Sequence, residues 1–307
     1  MPARTPVDTS VLAPLADAQG EARPVTAVVG AQKSLEGAGF PVLRPFPQPG
    51  AEVTATDPFL MLDEMGPVEY APGEAKGAPD HPHRGFETVT YLWDGAVEHR
   101  DSTGGGGLLR GGDTQWMTAG AGLVHSEMPT PELLRDGGLM HGFQLWVNLP
   151  RADKHTPPRY QDLTGDKLTF VRTADERGLV RIIAGEVGGH AGPGATHTPI
   201  IYAHASLQPG AHLAVAVPAA WNALAYVVEG SVRAGRDGRR VEAHQLAVFG
   251  GGDVVTIDAE ERVEVLLFGG QPLREPIAWY GPFVMNTKQE ILDSIELFEN
   301  GELGAIS

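Results

Sequence analysis

Two short segments, His81-Pro82-His83 and His125-Ser126-Glu127, each carry metal-binding side chains at positions i and i+2. Residues two apart share a face only on an extended backbone, so each pair works as a pair only on a β-strand. If the two strands lie side by side, three imidazoles and one carboxylate converge on one point. That donor set suits a divalent transition metal, iron first, and marks the chain as an enzyme candidate rather than a plain β-protein.

The surrounding sequence fits that demand. Strand-like segments follow one another at Pro41–Phe46, Phe59–Leu62, Glu87–Trp93, Ala96–Arg100, Gly107–Arg110, Thr114–Thr118, Gly122–Glu127 and Leu139–Leu149. Turns such as Trp93-Asp94-Gly95 and Arg110-Gly111-Gly112-Asp113 separate them. With 40 glycines and 25 prolines among 307 residues, many short strands are favoured over helices. The prolines between Pro150 and Pro158 cannot sit inside a sheet, which predicts a linker at 151–165. A second run of strands follows from Leu168–Arg172 to Glu261–Gly269, and its turns at Val228-Glu229-Gly230 and 249–253 echo those of the first half. An internal duplication is expected, with one barrel per half.

Residues 1–25, rich in Ala, Pro, Asp and Thr without periodicity, read as a disordered tail. Only Thr287–Asn300 reads as a helix, with Thr287 as cap and Glu290 three residues later. Ile291, Ile295 and Phe298 share one face, and Gly301 is the stop. The expected architecture is therefore all-β. A metal-binding domain occupies 26–150, and a second domain at 166–307 ends in the helix.

Several function classes are disfavoured. Without cysteine there are no disulfides, thiolate metal sites or cysteine nucleophiles. A net charge of −16, with no basic run longer than Arg239-Arg240, opposes nucleic-acid binding. The N-terminus lacks a signal-peptide pattern, and the apolar run Leu213–Val228, broken by Pro218 and Asn222, is too short for a bilayer. A cytoplasmic location is expected. Gly104–Gly107 lacks the Lys-Ser/Thr of a phosphate loop and reads as a mobile turn, while Gly120-Ala121-Gly122 lacks the dinucleotide pattern. Ser126 has no Gly-x-Ser-x-Gly context. His99 and Asp101 lie on a strand between the two pairs and face either the cavity or solvent; His141 reads as structural.

A glutamate four residues beyond the first pair (Glu87), a glycine turn and a histidine after a Gly-Asp turn give the outline of a cupin barrel. The match sharpens to the pirin family through Asp57–Gly66, His81–Tyr91, Glu98–Ser102, Gly112–Gly120, His125–Pro129, Gln144–Pro150 and Tyr280–Thr287. The chain resembles pirins from about residue 40 to its C-terminus, densely in the first half and more loosely in the second.

That resemblance implies two tandem cupin (jelly-roll-like) β-barrels. It also implies a single Fe(II) in the first, held by His81, His83, His125 and Glu127, with Mn, Ni, Cu or Zn as competitors. In the general cupin pattern Glu87 would be the carboxylate ligand. The likeness to pirins moves that role to Glu127 and leaves Glu87 as a partner of the ligands or a hydrogen bond within the barrel. Where the second half would carry its own pair it has Ala220-Trp221-Asn222-Ala223, and His190, His197, His204, His212 and His244 define no common face. The second barrel is expected to be metal-free. The implied activity is that of a quercetin 2,3-dioxygenase, which opens a flavonol ring with O2 and releases carbon monoxide, Glu127 serving as base as well as ligand. The family also implies a second role, an iron-dependent redox-sensing regulator. The acidic surface argues against DNA contact but permits a protein partner such as a transcription factor or metabolic enzyme.

Overall fold

The computed structural model describes residues 9–306. In the first half a seven-stranded sheet has the order Arg159–Leu163, Thr114–Thr118, Phe86–Asp94, Gly138–Asn148, Phe59–Tyr70, Phe40–Phe46, Gln32–Glu36. A four-stranded sheet, Ala78–His83, Leu123–Pro129, Ala96–Asp101, Gly106–Arg110, completes that barrel. The second half repeats the plan with an eight-stranded and a four-stranded sheet. Among the described residues no helix is long and apolar enough to cross a membrane.

Alternation along the strands explains how the barrels meet. On Phe86–Asp94 every second residue, Val89, Tyr91 and Trp93, joins a core that also contains Phe143, Leu145 and Val147. Tyr202, Leu224, Tyr226, Leu266 and Phe268 of the second half complete that core. The two large sheets thus stack back to back through bulky apolar side chains. The intervening residues, Thr88, Thr90 and Gln144, turn toward the interior of the first barrel, which also holds an apolar cluster of Leu92, Val97, Leu109 and Met140. The interior of the second barrel is filled instead by side chains such as Val180, Ile182, Ala203, Ala205, Val227, Val265 and Leu267. Each large aliphatic side chain buried there contributes roughly 1.5–3 kcal/mol, and none offers a donor atom to a metal.

The ends of the chain depart from expectation. Residues 1–8 of the expected tail lie outside the described residues, but the remainder is folded. Val25–Gly30 pairs antiparallel with Gln245–Phe249 as the outer strand of the second half's large sheet, and Ala13–Pro14 pairs with Thr169–Arg172. Arg23, 2 % exposed, donates to the carbonyls of Val217, Pro218, Trp221 and Gly250 at 2.7–3.2 Å. Its guanidinium thereby ties the N-terminal segment to the turn at Val217–Trp221 and to Gly250. The expected linker is also structured: Arg159–Leu163 pairs with Thr114–Thr118 at the edge of the first sheet. Edge strands need cover because their free N–H and C=O groups must be satisfied, a demand that short patterns do not reveal.

The C-terminus crosses in the opposite sense. The hairpin Ala278–Tyr280/Phe283–Met285 and the helix Lys288–Glu299 lie on the first barrel, where Phe283, Met285, Ile291 and Leu303 cover Val124. The helix carries the expected Thr287–Glu290 capping box. Ile291 and Ile295 face inward, but Leu297 packs there while Phe298 is left exposed. Lys154 ties the crossing together. Its buried ammonium donates to the carbonyls of Gly85 and Val284 and to Asn148 Oδ1 at 2.7–2.9 Å. Gly85, with φ +89°, lies so close to the Val284 carbonyl that a Cβ would overlap it.

Candidate metal centre

Strand register builds the site. Leu123–Pro129 pairs on one side with Ala78–His83, setting His125 opposite His81, and on the other with Ala96–Asp101, setting His125 opposite Asp101 and Glu127 opposite His99. Opposed residues share a face, so three neighbouring strands present His81, His83, His125, Glu127, His99 and Asp101 together. A register shift after His125 re-aims Glu127 relative to the first ligand strand.

The three imidazoles converge. Their ring centroids lie 4.3–4.9 Å apart, and one nitrogen from each falls within 4.8 Å of the others. Among the described residues this is the group able to hold a metal ion. His81 Nδ1 lies 2.7 Å from the Pro79 carbonyl, which assigns the proton to Nδ1 and leaves Nε2 with a free lone pair. His83 is wedged against Phe86 and Trp146. Burial, reinforced by the neighbouring imidazoles, holds the pKa of His83 and of His125 well below the ordinary range, so both stay neutral, the ligating form. Both nitrogens of His125 and Nδ1 of His83 are buried without a hydrogen-bond partner. Such groups cost about 1–3 kcal/mol each when left unsatisfied. A divalent ion would take one lone pair from each ring, including one of the two orphaned nitrogens of His125, so the residues fit a metal.

Glu127 lines the same cleft but stands outside the tight group. Thr90 Oγ1 donates to its Oε1 at 2.9 Å, and Gln144 Nε2 to its Oε2 at 2.9 Å. The indole N–H of Trp146 donates to Gln144 Oε1, and because an indole can only donate, it orients the amide. Thr90, Gln144 and Trp146 were not apparent from sequence. The one available signal was Gln144, a polar residue alternating with Phe143 and Leu145 on a strand that reads as core.

Glu87 is elsewhere. It is paired in register with Thr118 and Val147, on the face that carries Val89 and Tyr91 into the seam between barrels. Thr118 Oγ1 donates to it at 2.7 Å. Desolvation pushes its carboxyl up to about 7, against the opposing pull of Thr118 and Trp116. It points away from the imidazoles and neither ligates nor supports them; only the hydrogen-bond reading stands. Asp101 caps the hairpin turn by accepting from Thr103 N, Thr103 Oγ1 and Gly105 N. His99 is buried and stacked on Tyr160 at 5.1 Å. The glycine loop packs against both, and a Cβ on Gly107 would fall 2.6 Å from His99 Nε2. His141 is structural, bonded to Glu64 in the seam, where Tyr226 and His244 from the second barrel also bond Glu64.

His81 and His83 line a cleft of about 660 Å³ walled by Phe40, Met61, Met65, Trp146 and Trp279. Trp279 belongs to the crossing C-terminal hairpin and packs on Trp146 at 5.7 Å. The cation at the rim, Arg44, is already bonded to Asp63 and Glu36. With Asp80 also on the wall, the cleft favours a neutral planar guest over an anion.

Residues 39–147 match the model of Pirin, and residues 202–304 that of the Pirin C-terminal cupin domain. The Homo sapiens protein named Pirin is 39% identical over 290 residues, covering 93% of this chain and 95% of its own. A pirin-like protein from Solanum lycopersicum is 42% identical over 286 residues, covering 92% and 93%. A solved quercetin 2,3-dioxygenase from Acinetobacter baumannii matches with a TM-score of 0.87 at 39% identity, covering 93% of this chain and 99% of that one.

Proposed function

The chain belongs to the pirin family, and on that premise we propose that it is a metal-dependent dioxygenase of the quercetin 2,3-dioxygenase type, acting on a flavonol-like substrate with O2. One observation carries the reading. Three imidazoles converge, two of them, His81 and His83, on the wall of an aromatic-walled cleft, in a fold shared with a solved quercetin 2,3-dioxygenase. We assign Fe(II) to His81, His83 and His125, with Glu127 as the fourth donor and Mn, Ni, Cu or Zn as competitors. The bound ion would supply a Lewis-acidic centre with positions open to a substrate oxygen and to dioxygen.

The chain's own residues align the reactants. Trp146 and Trp279 stack against the planar rings, and the apolar walls exclude water. Glu127, held by Thr90 and Gln144, lies on the cleft wall where it accepts the proton that the flavonol hydroxyl loses on binding. Anaerobic protein loaded with Fe(II) should shift the flavonol absorption, and admitting O2 should consume the flavonol and release carbon monoxide. His125→Ala should do neither. Absence of turnover and of carbon monoxide from the metal-loaded protein rejects the reading.

A second reading, a redox-sensing regulator that binds a protein partner, is favoured by one surface. Ile277, Tyr280, Leu292 and Phe298, all in the crossing segment beside the cleft, are exposed apolar side chains. Equal capture of partners by the Fe(II) and Fe(III) forms would reject it.

A further inference from the structure

Glu127, with Phe40, Met65 and Ala78, forms the wall shared by two cavities. One is the cleft of about 660 Å³ lined by His81 and His83, with Gln144 in its wall. The other is a narrow pocket of about 30 Å³, lined by Phe40, Met65, Val68, Val97, Met140 and Thr90. Glu127 lines both, Gln144 only the cleft and Thr90 only the narrow pocket. The hydrogen bonds follow that division, Thr90 to Oε1 and Gln144 to Oε2. The narrow pocket begins at exposed Lys76 and half-buried Tyr70 and ends at buried Thr90 and Val97.

Size and polarity together select its occupant. Sites for molecules as large as a flavonol measure roughly 300–1,000 Å³, a range that includes the cleft and excludes the pocket by a factor of about ten. A water molecule needs roughly 10–15 Å³, so the pocket admits a water or a diatomic gas. Between the mouth at Tyr70 and Lys76 and the inner end at Thr90 and Glu127, its methionine, valine and phenylalanine walls give a water no hydrogen-bond partner. The polar atoms at its inner end, Thr90 Oγ1 and Glu127 Oε1, are already bonded to each other.

We propose that this pocket is a passage for dioxygen, separate from the substrate cleft and opening beside Glu127. The proposal rests on the dioxygenase reading, which supplies the need for O2. A flavonol seated in the cleft closes the wide mouth above the imidazoles, and dioxygen then enters from the far side of the carboxylate.

Two variants narrow the passage from half-buried positions away from the imidazoles, Val68→Phe and Met140→Phe. In each, kcat/KM for O2 should fall by at least about tenfold, while metal content and kcat/KM for flavonol at saturating O2 stay within about twofold. An unchanged kcat/KM for O2 in both folded, metal-loaded variants overturns the passage. If the loaded wild-type protein turns over no flavonol, the dioxygenase reading has failed, and the passage is judged separately by pressurising crystals with xenon. Xenon bound among Val97, Met140 and Thr90 upholds a route for small apolar molecules; no xenon there overturns it.

Discussion

Replacing Glu87 by glutamine tests whether this carboxyl belongs to the seam between the barrels or to the metal centre. Burial raises its pKa from 4.5 to about 7, a displacement worth about 3 kcal/mol of folding free energy. The sign follows from which state binds the proton more tightly. Below about pH 4.5 the group is protonated in both states, and its full contribution is present. As the pH rises toward 7 the unfolded chain ionises while the folded one does not, and stability falls. Above about pH 7 the folded state carries a buried charge and the whole 3 kcal/mol or so has been lost. Glutamine is neutral throughout, and its carbonyl still accepts from Thr118. The E87Q variant should therefore match the wild type near pH 4.5 and exceed it by about 3 kcal/mol near pH 8. Urea unfolding of metal-free protein across that range measures the difference, provided the m-values agree. A gap that does not change with pH refutes the assignment of the burden to this carboxyl. A loss of metal affinity in E87Q would refute its placement away from the imidazoles.

Other expectations follow from single contacts. His125→Ala should abolish stoichiometric binding of Fe(II), measured by metal analysis after anaerobic loading, because it removes one imidazole from the three-nitrogen group. Gln144→Met should retain metal yet lower turnover about 10–100-fold, since Trp146 and Glu127 lose the amide that joins them; unchanged kcat would count against its positioning role. Arg23→Met leaves four carbonyls, that of Val217 buried, without their donor and should destabilise the protein by about 1–3 kcal/mol, read by chemical denaturation. Lys154→Met should cost about 2–4 kcal/mol and speed proteolysis of the segment after Gly270; resistance equal to the wild type would show that the lysine is not its anchor.

The candidate metal centre was legible because its residues declare themselves by type and spacing. His-x-His and His-x-Glu need only an extended backbone, and the strands Thr114–Thr118, Ile200–Leu207, Ser231–Ala234 and Gln245–Phe249 fall where alternation and glycine turns predict. What sets Glu87 apart from Thr88 and Thr90 is which face of one strand turns toward the second barrel, and a strand buried on both sides does not announce its faces. Arg23 and Lys154 were unreadable for another reason. Each is satisfied by carbonyls brought together only by tertiary packing, so nothing local marks it. The clamp on Glu127 is of the same kind, with Thr90, Gln144 and Trp146 ordinary strand residues until the opposite wall of the barrel is in place.

The exchanged ends of the chain bear on how the protein is made. The strand Leu123–Pro129 carries two of the proposed ligands on its inner face, while Val124 on its outer face is covered by Phe283, Met285, Ile291 and Leu303. At roughly 5–20 residues per second, translation of the intervening chain takes on the order of ten seconds. During that interval the imidazoles exist but the back of their sheet is bare, and the tryptophan that completes the cleft has not yet been synthesised. An ion captured early would sit in a half-built, open basin, exchangeable with whatever metal the surroundings supply. Ion selection would then be settled by the crossing segment made after Gly270, which shuts the basin behind the metal already inside.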